Sequence, residues 1–117
     1  MAIPHARPGE VIDVKPLGTG LAAARSHALF KSGELELIRL VLLAGEQMPP
    51  HAVTGEITLQ CIEGRIALSC DAGMRELGPG QLIRITGGEV HSLRAIEDAS
   101  LLLTIALRNP AASAIPA

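Results

Sequence analysis

Two stretches of the 117-residue chain set a histidine inside a frame of glycines. One is GEQMPPHAVTGEITLQCIEG, running from Gly45 through His51 to Gly64; the other runs from Gly80 through Gly88 to His91. A neutral imidazole has one donor nitrogen and one acceptor, so it can orient a polar ligand, pass a proton or bind a metal. His5 and His27 stand outside both frames, and exposed or packing roles are expected for them. Other chemistries find little footing. Ser26, Ser92 and Ser100 lack the Gly-x-Ser-x-Gly setting and a suitably placed acid, which argues against a serine hydrolase. No glycine-rich stretch continues into the Lys-Ser/Thr of a phosphate cradle. Asp71 and Glu76 flank a turn and read as solvated surface carboxylates.

The spacing of these residues resembles the two motifs of the cupins. The first motif is G, five residues, H-x-H, three or four residues, E, six residues, G; Gly45, His51 and Gly64 fit it without a gap. The second is G, five residues, P-x-G, two residues, H, three residues, N; Gly80, Gly88 and His91 fall on its two glycines and its histidine. The departures are Val53 for the second histidine, Ile57 for the glutamate, Thr86 for the proline and Ala95 for the asparagine. The resemblance covers about residues 34–107 and implies an all-β fold, the double-stranded β-helix or jelly-roll barrel.

In cupins with the full pattern, three histidines and a glutamate hold a divalent metal inside the barrel. The resemblance therefore implies that His51 and His91 point into a ligand pocket and are its metal ligands, with Val53 and Ile57 as apolar wall. Zinc, iron, manganese or nickel would be the metal. A catalytic zinc ordinarily has three protein ligands, and the missing glutamate removes charge that would offset a dication in a low-dielectric cavity. Glu56 or Gln60 would replace it only if the strand register shifts, for instance through a bulge at Gly55, because strict alternation turns both outward. Two readings of the histidines stay open: metal ligands, or polar groups of an apolar pocket hydrogen-bonded to each other, water or a carbonyl. The expected function is small-molecule binding, and the alternative is a metal-dependent dioxygenase or isomerase of a small polar substrate.

The elements that must hold these residues are legible from composition and punctuation. Leu, Ile and Val total 33 residues and Phe30 is the only aromatic, so the core is built from branched aliphatics, which favours strands. Turn signals recur at short intervals: Gly18 to Gly20, Ser32-Gly33, Pro49-Pro50, Glu63-Gly64, Asp71 to Gly73, Gly78 to Gly80 and Gly87-Gly88 among them. Between them lie eight expected strands: 11–14, 27–31, 34–43, 56–62, 65–70, 81–86, 90–96 and 100–107. One short helix is expected over 19–25, with Thr19 as cap. The length suits one domain over 1–117, with residues 109–117 as a flexible tail.

Several partners and settings are excluded or expected on the same grounds. A net charge of −2, no basic block, and no Trp or Tyr leave nucleic-acid binding without support. The apolar runs are far shorter than the roughly 20 residues of a membrane-spanning helix. With no apolar stretch of signal-peptide length at its start, a cytoplasmic location is expected. Cys61 and Cys70, read as opposite arms of a hairpin turning at Glu63-Gly64, sit roughly 13 Å apart and stay free thiols. The run Ile38 to Leu43 is apolar on nearly both faces, which predicts a homodimer through sheet faces or exchanged N-terminal strands over 11–17.

Overall fold

Runs that alternate an aliphatic residue with a polar one have one face to bury, and two such sheets can bury them against each other. The computed structural model describes residues 5–107. It contains nine strands: β1 (His27–Lys31), β2 (Leu35–Leu42), β3 (Gln47–His51), β4 (Ile57–Glu63), β5 (Ile66–Cys70), β6 (Gly73–Leu77), β7 (Leu82–Ile85), β8 (His91–Ala95) and β9 (Ala99–Ala106). All strand pairs are antiparallel. They form two sheets, ordered β1-β2-β9-β4-β7 and β3-β8-β5-β6, as expected for a jelly roll.

The core lies between the sheets. Leu59 and Leu101 from the five-stranded sheet meet Ile66, Leu68 and Leu93 from the four-stranded one. Burying each such side chain contributes about 1.5–3 kcal/mol. Alternation holds closely in β8, where His91, Leu93 and Ala95 are buried while Arg94 is exposed. It places His91 on the inner face with the core.

Several expectations from sequence are corrected by the structure. Residues 11–14 form no strand, and β3 and β6 are strands where none was expected. β3 carries Pro49-Pro50, a turn signal in isolation, but at the sheet edge those residues need no ladder N–H. β6 lacks an apolar alternation and forms as the hairpin partner of β5 across the two-residue turn Asp71-Ala72. The expected helix is a 3₁₀ segment over Gly18–Ala23, and no side chain caps it.

Another correction concerns Glu63-Gly64, which is a corner between sheets and not a hairpin. β4 pairs with β7 and β9, whereas β5 pairs with β6 and β8. A register shift between Cys61 and Glu63 bends the strand end, and Gly64 then turns with φ +82°. A Cβ there would lie 2.1 Å from the Asp98 carbonyl oxygen, so only glycine passes. Both cysteines are free, as expected, although the hairpin argument for it does not hold.

The outer face of β2 is covered in part by the chain itself. Within the run 38–43, Ile38, Leu40 and Leu42 point to the core, which leaves Arg39 and Val41 outward. Arg39 is only 3% exposed, because the chain's own N-terminal segment lies over it. Its guanidinium donates to the Ser100 hydroxyl (3.3 Å) and the Lys15 carbonyl (3.1 Å). A partner subunit is not needed to cover this position. Within the chain, the Lys15 carbonyl accepts from Arg39 on β2 and the Leu17 amide donates to Glu63 on β4. The call of a flexible tail over 109–117 lies outside the described residues.

Candidate functional site

His51 and His91 reach one another because β3 contains an extra residue. Met48 pairs with Leu93 and His51 pairs with His91, so three steps along β3 match two along β8. The bulge falls on Pro49-Pro50, where proline has no N–H to give the ladder. It restores His51 to the inner face that Met48 already occupies. Directly opposed on neighbouring strands, the two rings lie with centroids 4.4 Å apart and planes inclined at 56°.

Their hydrogen bonds define which nitrogen is available. Nδ1 of His51 lies 3.0 Å from the Pro49 carbonyl oxygen, and Nδ1 of His91 lies 3.1 Å from that of Glu89. A carbonyl oxygen only accepts, so in each ring Nδ1 carries a hydrogen, and in the neutral ring Nε2 keeps its lone pair. Neither Nε2 has a hydrogen-bond partner among the described residues. No buried side-chain nitrogen or oxygen among those residues is left unpaired, so these atoms face accessible space. His91 is nearly buried at 4% exposure and His51 is half-buried.

The other expected site residues are placed as follows. Ile57 is buried in the core, and the half-buried Val53 packs against the same cluster. The Val53 carbonyl accepts from the Gly88 amide (2.7 Å), which ties the loop after His51 to the turn before His91. Glu56 is exposed, and Gln60 lies in the outward row with Leu102 and Leu82. β4 keeps a regular register from Ile57 to Cys61, so the bulge at Gly55 that would bring either residue inward is not formed. Gly55 instead packs so tightly that a Cβ would lie 1.6 Å from the Ala106 carbonyl oxygen. His27 bonds through Nδ1 to the Arg25 carbonyl (3.0 Å), away from the pair, and His5 is exposed.

Sequence reasoning read Cys70 as a free thiol but did not place it beside His91. It follows Ile66 and Leu68 on the inward side of β5, and with Asp71, Val90 and His91 it lines a depression of about 280 Å³. The register Ser69 to Ser92 was the missing information, because it sets the end of β5 beside the start of β8. Also missed was the clasp on the far sheet. There the Glu63 carboxylate accepts from the Ser100 hydroxyl and from the amides of Leu17 (2.8 Å) and Gly18 (3.0 Å). Burial pulls the Glu63 pKa upward, but the Ser100 and backbone hydrogen bonds, with the Arg39 charge, outweigh it and hold it below its ordinary value. Burial pushes the Cys61 thiol up.

No protein-family model matches this sequence, and no curated protein matches it. Its likeness is to solved structures. A conserved protein of unknown function from Streptococcus pyogenes is 20% identical, with a TM-score of 0.71 over 92% of this chain and 96% of that one. A cupin superfamily protein from Desulfitobacterium hafniense is 15% identical, with a TM-score of 0.72 over 88% of this chain and 100% of that one. The chain has the cupin fold. An RmlC-like cupin from Shewanella frigidimarina, 17% identical with a TM-score of 0.69, covers 93% of this chain and 96% of its own. Within this cupin barrel the donor set is smaller than the four-residue site of the full motif. Two imidazole Nε2 atoms suit a divalent metal, but Val53 and Ile57 occupy the other two places. No group of three or more His, Cys, Asp or Glu that could hold a metal ion occurs among the described residues. The residues present do not make up that site. No helix among the described residues is long and apolar enough to cross a membrane.

Proposed function

We propose that this cupin binds a small, uncharged, hydroxyl- or amide-bearing molecule at the open end of its barrel. The fixed tautomers of His51 and His91 carry the reading: each ring spends its N–H on a backbone carbonyl and presents Nε2 as an acceptor. Two neutral rings set these acceptors side by side, matching a ligand with two O–H or N–H donors. Val53 and Ile57 supply the apolar wall. The half-buried outward side chains Phe30, Leu37 and Leu102 and the exposed Leu82 support self-association of this cupin as a homodimer. Sedimentation at micromolar concentration tests that part, and a monomer of 12.2 kDa would refute it.

The binding site is tested by amide and imidazole NMR during titration with a panel of polyols, phenols and primary amides, and separately with zinc ions. Supporting shifts centre on His51, Val53, Ile57 and His91 and vanish in His51→Ala and in His91→Ala. Tight one-to-one zinc binding through both Nε2 atoms would favour a metal site instead. Shifts confined to other faces would refute the assignment.

A further inference from the structure

The outer face of the four-stranded sheet carries a trough that neither the core nor the histidine pair uses. Cross-strand partners share a face, so the register sets Ser92, Ser69 and Met74 in one outward row and Gln47, Arg94, Ala67 and Glu76 in the next. The two inner strands thus offer Ala67, Ser69 and Ser92, all small, where the outside of a sheet usually carries long polar side chains. The rims are taller. On one side the Pro49-Pro50 bulge lies opposite Ser92, and on the other Met74 stands 63% exposed. The result is a depression of about 320 Å³ with Arg94 at one end, at the lower end of the ~300–1,000 Å³ range of small-molecule sites.

Its polar groups are uncommitted. The exposed Arg94 forms no ion pair, and the Ser69 and Ser92 hydroxyls form no hydrogen bond, among the described residues. The nearest acidic candidate in the Arg94 row, Glu76, is engaged by Arg65 at 3.4 Å, and Arg65 also reaches Glu97 at 3.7 Å. We infer that this trough is a second ligand site, for a single-ring carboxylate. The guanidinium fork matches a carboxylate in two parallel hydrogen bonds. A flat ring then lies on the Ala67, Ser69 and Ser92 floor, between the proline ring of Pro50 and the thioether of Met74, which favours aromatic contact. The floor strands β8 and β5 lie one spacing of about 4.8 Å apart and the rim strands three, and two residue rises of about 3.3 Å separate Ser69 from Ala67, which leaves room between the rims for one six-membered ring and its substituent.

The probe is benzoate, followed by amide NMR, with acetate (the charge without the ring) and benzamide (the ring without the charge) as controls. The expected result is saturable benzoate shifts at Ala67, Ser69, Ser92 and Arg94, with both controls binding several-fold more weakly. Arg94→Gln should weaken benzoate about tenfold or more, since a bidentate charged contact is lost. Ser69→Leu should abolish binding by filling the floor. Arg94 is exposed, so its variant keeps the fold and carries the test if Ser69→Leu does not. Acetate binding as well as benzoate, benzoate shifts indifferent to Arg94→Gln, or no saturable shifts in this row would each overturn the inference. Failure here would leave the His51 and His91 reading untouched, because neither histidine lines the trough around Arg94, Ala67 and Met74.

Discussion

Glu63→Gln is the most informative single substitution, because one carboxylate joins three parts of the chain. It accepts hydrogen bonds from Leu17, Gly18 and Ser100, and the same serine hydroxyl accepts from the buried Arg39. Hydrogen bonds to a charged group contribute about 1.5–3 kcal/mol each. Glutamine can keep its oxygen where Oε2 accepts from Leu17 and Ser100 but then turns its NH2 to the Gly18 amide, so one bond is lost and two lose their charge assistance. Partial exposure of the group and the entropy of ordering a surface segment discount that sum, leaving an expected loss of about 1–3 kcal/mol. For a domain of this size 1 kcal/mol shifts Tm by roughly 4–8 °C.

The pH dependence has a definite sign. Because the folded-state pKa of Glu63 is held below its ordinary 4.5, its contribution is fully present above that ordinary value. It is lost as pH falls through the folded value. The wild-type protein should therefore lose stability on acidification below pH 4.5 more steeply than Glu63→Gln does. Urea unfolding at neutral and acidic pH measures both effects, and hydrogen exchange of the Leu17 and Gly18 amides reports whether the N-terminal segment is released. A variant within about 0.5 kcal/mol of wild type, with unchanged exchange at those two amides, would refute the clasp.

Four other substitutions and one labelling experiment separate packing from function. His91→Ala should cost about 1–3 kcal/mol in urea unfolding, since the ring is buried and the Glu89 carbonyl loses its donor, whereas the half-buried His51→Ala should stay within about 1 kcal/mol. Gly64→Ala should cost about 3 kcal/mol or more, or prevent folding, because its φ of +82° is combined with backbone 2.1 Å from the new Cβ. Gly80→Ala, with φ +85° and open space around it, should cost only about 1 kcal/mol. Of the two thiols, half-buried Cys70 should react with a disulfide reagent in the native state, and Cys61, fully buried with its pKa raised, should react only on unfolding. Equal rates would show that the end of β4 opens.

The sequence by itself determined the all-β class, the aliphatic core and the inward face of His91. Those properties reside in local pattern: alternation in β8 decides that His91 points inward, and positive φ at Gly64, Gly80 and Gly88 marks chain reversals. Tertiary structure alone decided which strands are neighbours. Nothing local distinguishes Glu63-Gly64 as a hairpin from the same pair as a corner, because the choice depends on the Asp98 backbone, 34 residues further on. The same holds for Arg39, which reads as one charge in an apolar run until Ser100 and Lys15 arrive from distant segments to pair with it. It holds too for His51, whose orientation depends on a bulge that is defined only by how β3 registers against β8. Periodicity records what each strand buries, whereas pairing between strands far apart in sequence is settled by the packing of the whole barrel.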